Sequence, residues 1–398
     1  MANGMANGVL QPMKNGCLMV IVPDALSAIV RKGEITPRYY NPGGLFGEVH
    51  IVMTQSDEVE PSDLQKAVGS AELHVHSIPL KSKLFLRTLG YRPSLLRGWA
   101  EKGVELARKI KPSLIRCQDN SFNAFMGAQI KQELGIPLII SLHGNPDADL
   151  RGAVATTISE KVRAFAHKAV EGPGLRLADH VIAVYEPILP YLKSNRVKQY
   201  SLIYNAVGYD VKPKNDYALH APAVLLCVGR QQSLFKDPRN ILEALPEFDN
   251  ARLIMIGTGD LHEKLIELTH NLKCSARCQL ISALSNEKVL NMMHDADIYV
   301  FNQITLGISK TIIEAALTGL PIIVNKRPRG GRDELDADWL LQVEDTKSGY
   351  MAGIEELIHN QGEREKLGRL ARAYAREHYA PEAMEEKVVE IYRSLMRK

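Results

Sequence analysis

Phe301-Asn302-Gln303-Ile304-Thr305-Leu306-Gly307-Ile308-Ser309-Lys310-Thr311-Ile312-Ile313-Glu314-Ala315-Ala316-Leu317-Thr318-Gly319-Leu320-Pro321 is the stretch on which the reading of this chain turns. An apolar strand end runs into a glycine turn, then a helix start, then a carboxylate one to two turns into the helix. A helix N-terminus offers unpaired backbone N–H groups and the positive end of a dipole, so it suits an anion. A carboxylate further along can accept hydrogen bonds from sugar hydroxyls. Together these parts suit a nucleoside diphosphate-sugar.

The same strand-turn-helix rhythm extends in both directions and predicts α/β architecture with parallel sheets. Upstream of Phe301, strands are expected at Val224–Val228, Arg252–Ile256, Gln279–Ile281 and Ile298–Phe301, with helices between them. Downstream come Ile322–Val324 and three helical stretches, Lys347–His359, Glu363–His378 and Pro381–Met396. An earlier alternation covers Leu18–Val22, Val49–Met53, a helix Val104–Ile110, Leu114–Cys117, a helix Phe122–Leu134, Leu138–Leu142, a helix Val154–Ala169, Val181–Val184 and Tyr200–Ile203. Between the halves, Gly208 to Pro222 is polar and aperiodic and reads as a linker. The expected division is a disordered leader 1–16, an N-terminal domain 17–207, the linker 208–222, a C-terminal domain 223–378 and a final helical segment 379–398. In open parallel sheets ligands bind beyond the carboxyl ends of the strands. His143, Asn205, Arg230, Gly257 and the run Leu306–Ser309 fall at such ends.

Composition narrows the class. The chain has 398 residues, 45% hydrophobic and 24% charged, as in ordinary two-domain globular proteins. Its five cysteines, at 17, 117, 227, 274 and 278, show no paired CxxC spacing, which argues against a disulfide framework or a structural zinc site. No apolar run approaches the ~18 residues of a membrane span, so a cytoplasmic protein is expected. Charge is uneven. Pro79 to Arg116 holds ten Lys/Arg against two Glu, whereas the whole chain carries only +3. Leucines and aromatics, among them Phe85, Tyr91 and Trp99, interleave with these cations. That pattern fits peripheral contact with an anionic membrane at its inner face, or a solvated helical face whose apolar residues are core. No nucleic-acid recognition motif accompanies the charge.

Several chemistries lack their signatures. A dinucleotide oxidoreductase needs G-x-G-x-x-G after its first strand, but Val22-Pro23-Asp24-Ala25-Leu26-Ser27 follows it here. Walker A, G-x-S-x-G and H-E-x-x-H are also missing. Arg230 and Lys236, in one loop beyond Val228, could neutralise a diphosphate leaving group, with Arg as a planar fork and Lys as a point charge. They could equally be solvated loop cations. The turn at 307–311 in the same half favours the first reading. His143, just beyond Leu142, is either a catalytic candidate or a plain loop residue.

Val228-Gly229-Arg230…Lys236, Ile256-Gly257-Thr258-Gly259-Asp260, Asp295-Ala296-Asp297-Ile298-Tyr299-Val300 and Gly307-x-Ser309-x4-Glu314-Ala315-Ala316-x2-Gly319-Leu320-Pro321 resemble, in order and spacing, the donor half of family 4 retaining glycosyltransferases. Ser141-Leu142-His143-Gly144, Ala178–Val184 and Ile203–Val207 resemble the family more weakly. The resemblance implies the GT-B fold, two Rossmann-like domains facing each other across a cleft. It implies transfer of a sugar from a nucleotide donor to a hydroxyl acceptor with retention, without cofactor or metal. Arg230 and Lys236 would contact the diphosphate, Glu314 the ribose, and the backbone of Gly307, Ile308, Ser309, Lys310 and Thr311 the sugar and phosphate. His143 would lie beside the reacting sugar. Asn205, Gly43 and Gly44 are candidates for acceptor or cleft contacts. The expected partners are a nucleotide-sugar and a glycan or lipid-linked acceptor. The final helix would pack back on the first domain. The chain departs from the family at Leu306, which stands where the first of two glutamates is expected. That departure motivates the alternative of a non-catalytic nucleotide-sugar binder or regulatory partner, and a nucleotide-sugar epimerase of the same fold is a third option.

Overall fold

The computed structural model describes residues 13–33, 35–80, 93–155, 157–205, 207, 211–327, 334–335 and 337–397. The seven strands of the N-terminal domain are β1 (Met13–Val22), β2 (Phe46–Met53), β3 (Glu72–Ser77), β4 (Leu114–Gln118), β5 (Leu138–Leu142), β6 (His180–Ala183) and β7 (Tyr200–Leu202). They form one parallel sheet in the order β3-β2-β1-β4-β5-β6-β7. The C-terminal domain holds β8 (Ala223–Val228), β9 (Ala251–Ile256), β10 (Cys278–Ile281), β11 (Ile298–Phe301), β12 (Ile322–Asn325) and β13 (Leu341–Val343), in the order β10-β9-β8-β11-β12-β13. Each order reverses beside its first strand, which leaves a crevice at the carboxyl ends. The central strands are continuous apolar runs because helices cover both faces. Leu18–Val22, for example, is wholly inaccessible to solvent.

The structure corrects several expectations. β1 begins at Met13, so residues 13–16 belong to the sheet and not to a leader; residues 1–12 lie outside the described residues. The edge strand β3 was not expected, because Glu72-Leu73-His74-Val75-His76-Ser77 is half polar. It forms by pairing along β2, from Glu48↔Glu72 to Met53↔Ser77. The short strand β13 was also unforeseen. The helix expected to begin at Val104 begins at Pro93. The helix expected over Val154–Ala169 is two, Ile158–Ala166 and Lys168–Leu177. The second runs through Gly172-Pro173-Gly174, a sequence that reads as a breaker. Packing overrides that signal, because Gly174 lies so close to the helix Phe122–Leu134 that a Cβ would stand 2.8 Å from that of Ala124.

Residues 211–222 form neither helix nor strand, yet they are strapped to the C-terminal domain. Lys214 Nζ donates to the carbonyl of Ala296, Tyr217 Oη donates to that of Gly319, and the Arg364 guanidinium donates to the carbonyl of Tyr217. The last helix, Pro381–Met396, leaves this domain. Its stripe Met384, Val388, Val389, Tyr392 and Leu395 joins the N-terminal core. Arg116 Nη1 donates to Tyr392 Oη at 3.1 Å, and Glu385 accepts from both Arg38 and the Gly43 N–H.

Candidate functional site

The carboxyl ends of the two sheets enclose a cavity of about 620 Å³. On the C-terminal side, β8 ends at Val228 and its loop carries Arg230 and Lys236. Two glycines let this loop interlock with the one after β9. A Cβ on Gly257 (φ +139°) would lie 1.9 Å from the Gly229 carbonyl oxygen, and one on Gly259 would lie 2.1 Å from that of Gln231. Arg230 is exposed and makes no ion pair among the described residues. Reciprocal backbone hydrogen bonds of 2.9 Å between Gln232 and Lys236 close the loop, and Lys236 Nζ sits 5.1 Å over the Phe301 ring. Both cations line the cavity.

Beyond β11 the opening stretch takes the expected form. Gln303 Nε2 donates to the carbonyls of Thr305 (3.0 Å) and Gly307 (2.7 Å), and Arg327 Nη1 donates to the same two, so the turn is clamped. Gly307 (φ +95°) abuts Tyr185 of the other domain, whose ring a Cβ would meet at 2.8 Å. Ser309 caps the helix Lys310–Thr318, its side chain accepting from the Ile312 N–H. The N–H groups of Lys310 and Thr311 precede any intrahelical acceptor. Thr311 Oγ1 donates to the Val228 carbonyl, which ties the helix start to the end of β8. Glu314, 4% exposed, accepts from Asn286 Nδ2 at 2.8 Å and borders the cavity.

His143 stands on the facing domain, just beyond β5. Part of its ring reaches the cleft, but Nε2 is sealed from solvent and has no hydrogen-bond partner among the described residues. Burial, then the nearby charges of Lys310 and Arg116, depress its pKa to about 3. A neutral imidazole is therefore what the cleft offers near neutral pH. Asn205 also reaches the cavity, its Nδ2 donating to Tyr185 Oη at 3.3 Å. Gly43 and Gly44 do not line it. Gly43 meets the last helix, where a Cβ would come within 2.8 Å of Val389 Cγ2.

Leu306 lines a smaller adjoining cavity of about 230 Å³ together with His143, Asn145, Asp149 and Gln303. Two buried polar atoms there, His143 Nε2 and Gln303 Oε1, lack partners among the described residues. Buried polar atoms are seldom left unpaired, so this cavity suits a ligand rich in hydroxyls.

Comparison with known proteins agrees with this geometry. The model for Glycosyltransferase Family 4 matches residues 47–210, and that for Glycosyl transferases group 1 matches residues 213–374. The chain belongs to the family 4, group 1 glycosyltransferases. It is 24% identical over 201 residues to spore coat protein SA of Bacillus subtilis, covering 45% of this chain and 51% of that one. It thus spans about half the length of that relative. Among solved structures, sucrose-phosphate synthase from Thermosynechococcus elongatus superposes with a TM-score of 0.71 at 16% identity, covering 96% of this chain and 100% of that one. Anabaena Alr3699/HepE in complex with UDP-glucose gives 0.68 at 15%, covering 95% and 99%. These likenesses establish the fold as GT-B.

Sequence reasoning did not single out several cleft residues of this family member. Asn286 reaches Glu314 from the start of another helix. Tyr39 lies under Lys310 Nζ, 4.8 Å from ring centroid to nitrogen. Asp119, at the end of β4 with φ 72°, has its carboxyl pKa raised by burial. Asp149 sits within an irregular helical turn. Only Asp119 had a detectable signal, since a polar residue directly after a buried strand is in the right place. The others depend on contacts between distant segments.

Proposed function

We propose that this protein transfers a glycosyl group, with retention, from a nucleoside diphosphate-sugar to a hydroxyl acceptor, and that it does so without a cofactor. One observation carries the reading. Arg230, Lys236, the N-terminus of the helix Lys310–Thr318 and the buried carboxylate of Glu314 line the same cleft, and His143 faces them from the other domain. As the bond from anomeric carbon to diphosphate breaks, negative charge grows on the departing oxygen. Two cations and a helix end stabilise that charge where it develops. Glu314 accepts hydrogen bonds from the ribose hydroxyls and sets the nucleotide's register. The neutral His143 exchanges a hydrogen bond with a sugar hydroxyl rather than contributing charge. Leu306 cannot take the sugar hydroxyls that a glutamate would, and Asp149, Asn145 and Gln303 line the same small cavity, so we assign them that task. HepE was solved with UDP-glucose, which makes UDP-sugars the first donors to try.

A lipid-linked or cell-surface glycan is the acceptor class the surface favours. Ile158, Val162 and Phe165 are exposed on one stripe of the helix Ile158–Ala166, at 83%, 59% and 62%. Part of the basic segment, 81–92, lies outside the described residues, but the helix Pro93–Ile110 carries more of its cations. No helix among the described residues is long and apolar enough to cross a membrane. Peripheral contact at an inner, cytoplasmic face is therefore the location we propose, and it predicts liposome binding that weakens steeply with salt.

The test is turnover of UDP-, GDP- and ADP-sugars by wild type and by the Arg230→Ala and Glu314→Ala variants, with products identified. A glycoside formed by wild type and lost in both variants supports the proposal. The departure at Leu306 favours one other reading, a nucleotide-sugar binder without turnover. Tight nucleotide binding with no product from any donor would establish that reading instead. An epimerised sugar or sugar-nucleotide would mark an epimerase.

A further inference from the structure

Three adjacent strands on one side of the N-terminal sheet, β3, β2 and β1, gather a set of donors that the cleft does not use. Registers Cys17↔Glu48, Glu48↔Glu72 and His50↔His74 align the strands, and alternate residues share a face. Cys17, Glu48, His50, Glu72, His74 and His76 therefore all project from the same side. Cys17 Sγ, a Glu48 carboxylate oxygen and a His50 ring nitrogen lie within 4.8 Å of one another. Glu48 Oε1 is 2.8 Å from His50 Nε2 and 3.4 Å from His74 Nε2, so two imidazole nitrogens converge on one oxygen. The rings of His50 and His74 stack at 4.5 Å. Cys17 and His50 are buried, whereas the Glu48 and His74 side chains are 42% and 37% exposed, which leaves an entry path from solvent.

We infer that Cys17, Glu48, His50 and His74 form a binding site for a divalent transition-metal ion of the zinc class. One thiolate, imidazoles and a carboxylate are the donor types a tetrahedral zinc site takes. His50 is already oriented for the task. Its Nδ1 lies 2.8 Å from His76 Nε2. If Nδ1–H donates there, Nε2 is left bare toward Cys17 and Glu48, as ligating histidines are commonly arranged. On binding, the Cys17 thiol loses its proton to solvent, a bond forms between sulfur and metal, and no electron is transferred. His74 closes the fourth position by a small shift of an exposed side chain. The ion would then staple β1, β2 and the polar edge strand β3 together. The site is remote from the cleft. Cys17 precedes Val22 by five residues, about 16 Å along the strand at ~3.3 Å per residue, and the cleft lies beyond that far end. The role is structural and independent of the proposed transfer. Cysteine spacing gave no hint of it because the ligands come from three strands.

The test uses the untagged full-length protein in metal-free buffer, titrated with Co²⁺ as a spectroscopic stand-in and then with Zn²⁺. One equivalent of Co²⁺ should bind with a sulfur-to-cobalt charge-transfer band in the near ultraviolet, and Zn²⁺ should displace it. Cys17→Ser should abolish the band, and Cys17→Ser and His50→Ala should each weaken binding more than about 100-fold, beyond the ~10- to 100-fold that an orienting residue contributes. His76→Ala should weaken it within that smaller range and keep the band. Zn²⁺ should raise the Tm of wild type and not of Cys17→Ser, while melts in chelator show that every variant folds. A band that persists in Cys17→Ser would move the thiolate elsewhere and overturn the assignment. So would a wild type that binds no Co²⁺ and melts identically with and without Zn²⁺, leaving only a hydrogen-bonded Glu48–His50–His76 chain.

Discussion

The two domains carry similar parallel sheets, but they supply the cleft in different ways. In the C-terminal domain the candidate groups come from short continuous devices. Arg230 and Lys236 share one loop, and Gly307 to Glu314 form one turn and helix. In the N-terminal domain Tyr39, Asp119, His143, Tyr185 and Asn205 reach the same cavity from five separate segments. On the proposed reading, anion recognition would reside in local geometry on the C-terminal side, while the N-terminal contacts to the cleft depend on tertiary assembly. A local device has a spacing that can be read in sequence, and an assembled surface does not. The two sides should also fail differently when altered.

Arg230→Ala should produce the largest effect. Removing one preorganised charge-stabilising donor typically costs about 10²–10³ in rate. Because the side chain is exposed and makes no ion pair among the described residues, the Tm should not move. Steady-state kinetics with a calorimetric melt would check both. A Tm drop parallel to the activity loss would show that the loop is structural and would weaken the contrast between the domains.

Glu314→Gln should come next. A hydrogen bond to a charged group contributes about 1.5–3 kcal/mol, so affinity for the free nucleoside diphosphate should fall about 10- to 100-fold by titration calorimetry. Asp149→Asn sharpens the comparison from the other side. It should lower kcat/KM for the sugar donor about tenfold, the worth of one neutral-for-charged exchange, and leave free nucleotide affinity unchanged. Equal losses for nucleotide and nucleotide-sugar would place Asp149 outside sugar recognition.

These contrasts explain what could be read in advance. The strand-turn-helix alternation, the break between the halves and the final helix Pro381–Met396 follow from apolar periodicity and from proline and glycine punctuation. β3 could not be read, because its side chains are polar and its stability comes from pairing along β2. The helix through Gly172-Pro173-Gly174 was hidden too, since close packing against Ala124 outweighs a local preference against helix. Arg230, Lys236, Ser309 and Glu314 stand out through their spacing, and all four line the cavity. The two glycines of the Arg38–Gly44 loop were misleading. One accommodates the last helix, and it is Tyr39 in the same loop that reaches the cleft.

The smallest effect concerns His143 and acid. Its pKa falls from the ordinary value of 6.5 to about 3 on folding, because burial and the charges of Lys310 and Arg116 disfavour the imidazolium. Between those values the unfolded chain binds a proton that the folded protein excludes. Stability from this group is therefore complete above about pH 6.5 and declines as pH falls toward 3. His143→Gln removes the titration while keeping a polar side chain. Its Tm should accordingly fall less than that of wild type between pH 7 and pH 4.5, by on the order of 1 °C for each kcal/mol involved in a chain of this length. His50 and His76 also have lowered pKa values, from burial first, and they titrate in both proteins, so the difference isolates His143. Identical acid slopes for wild type and variant would mean that Nε2 takes up a proton in the folded state. The cleft would then present a cation where the proposed mechanism needs a neutral ring, and the N-terminal side would contribute charge after all.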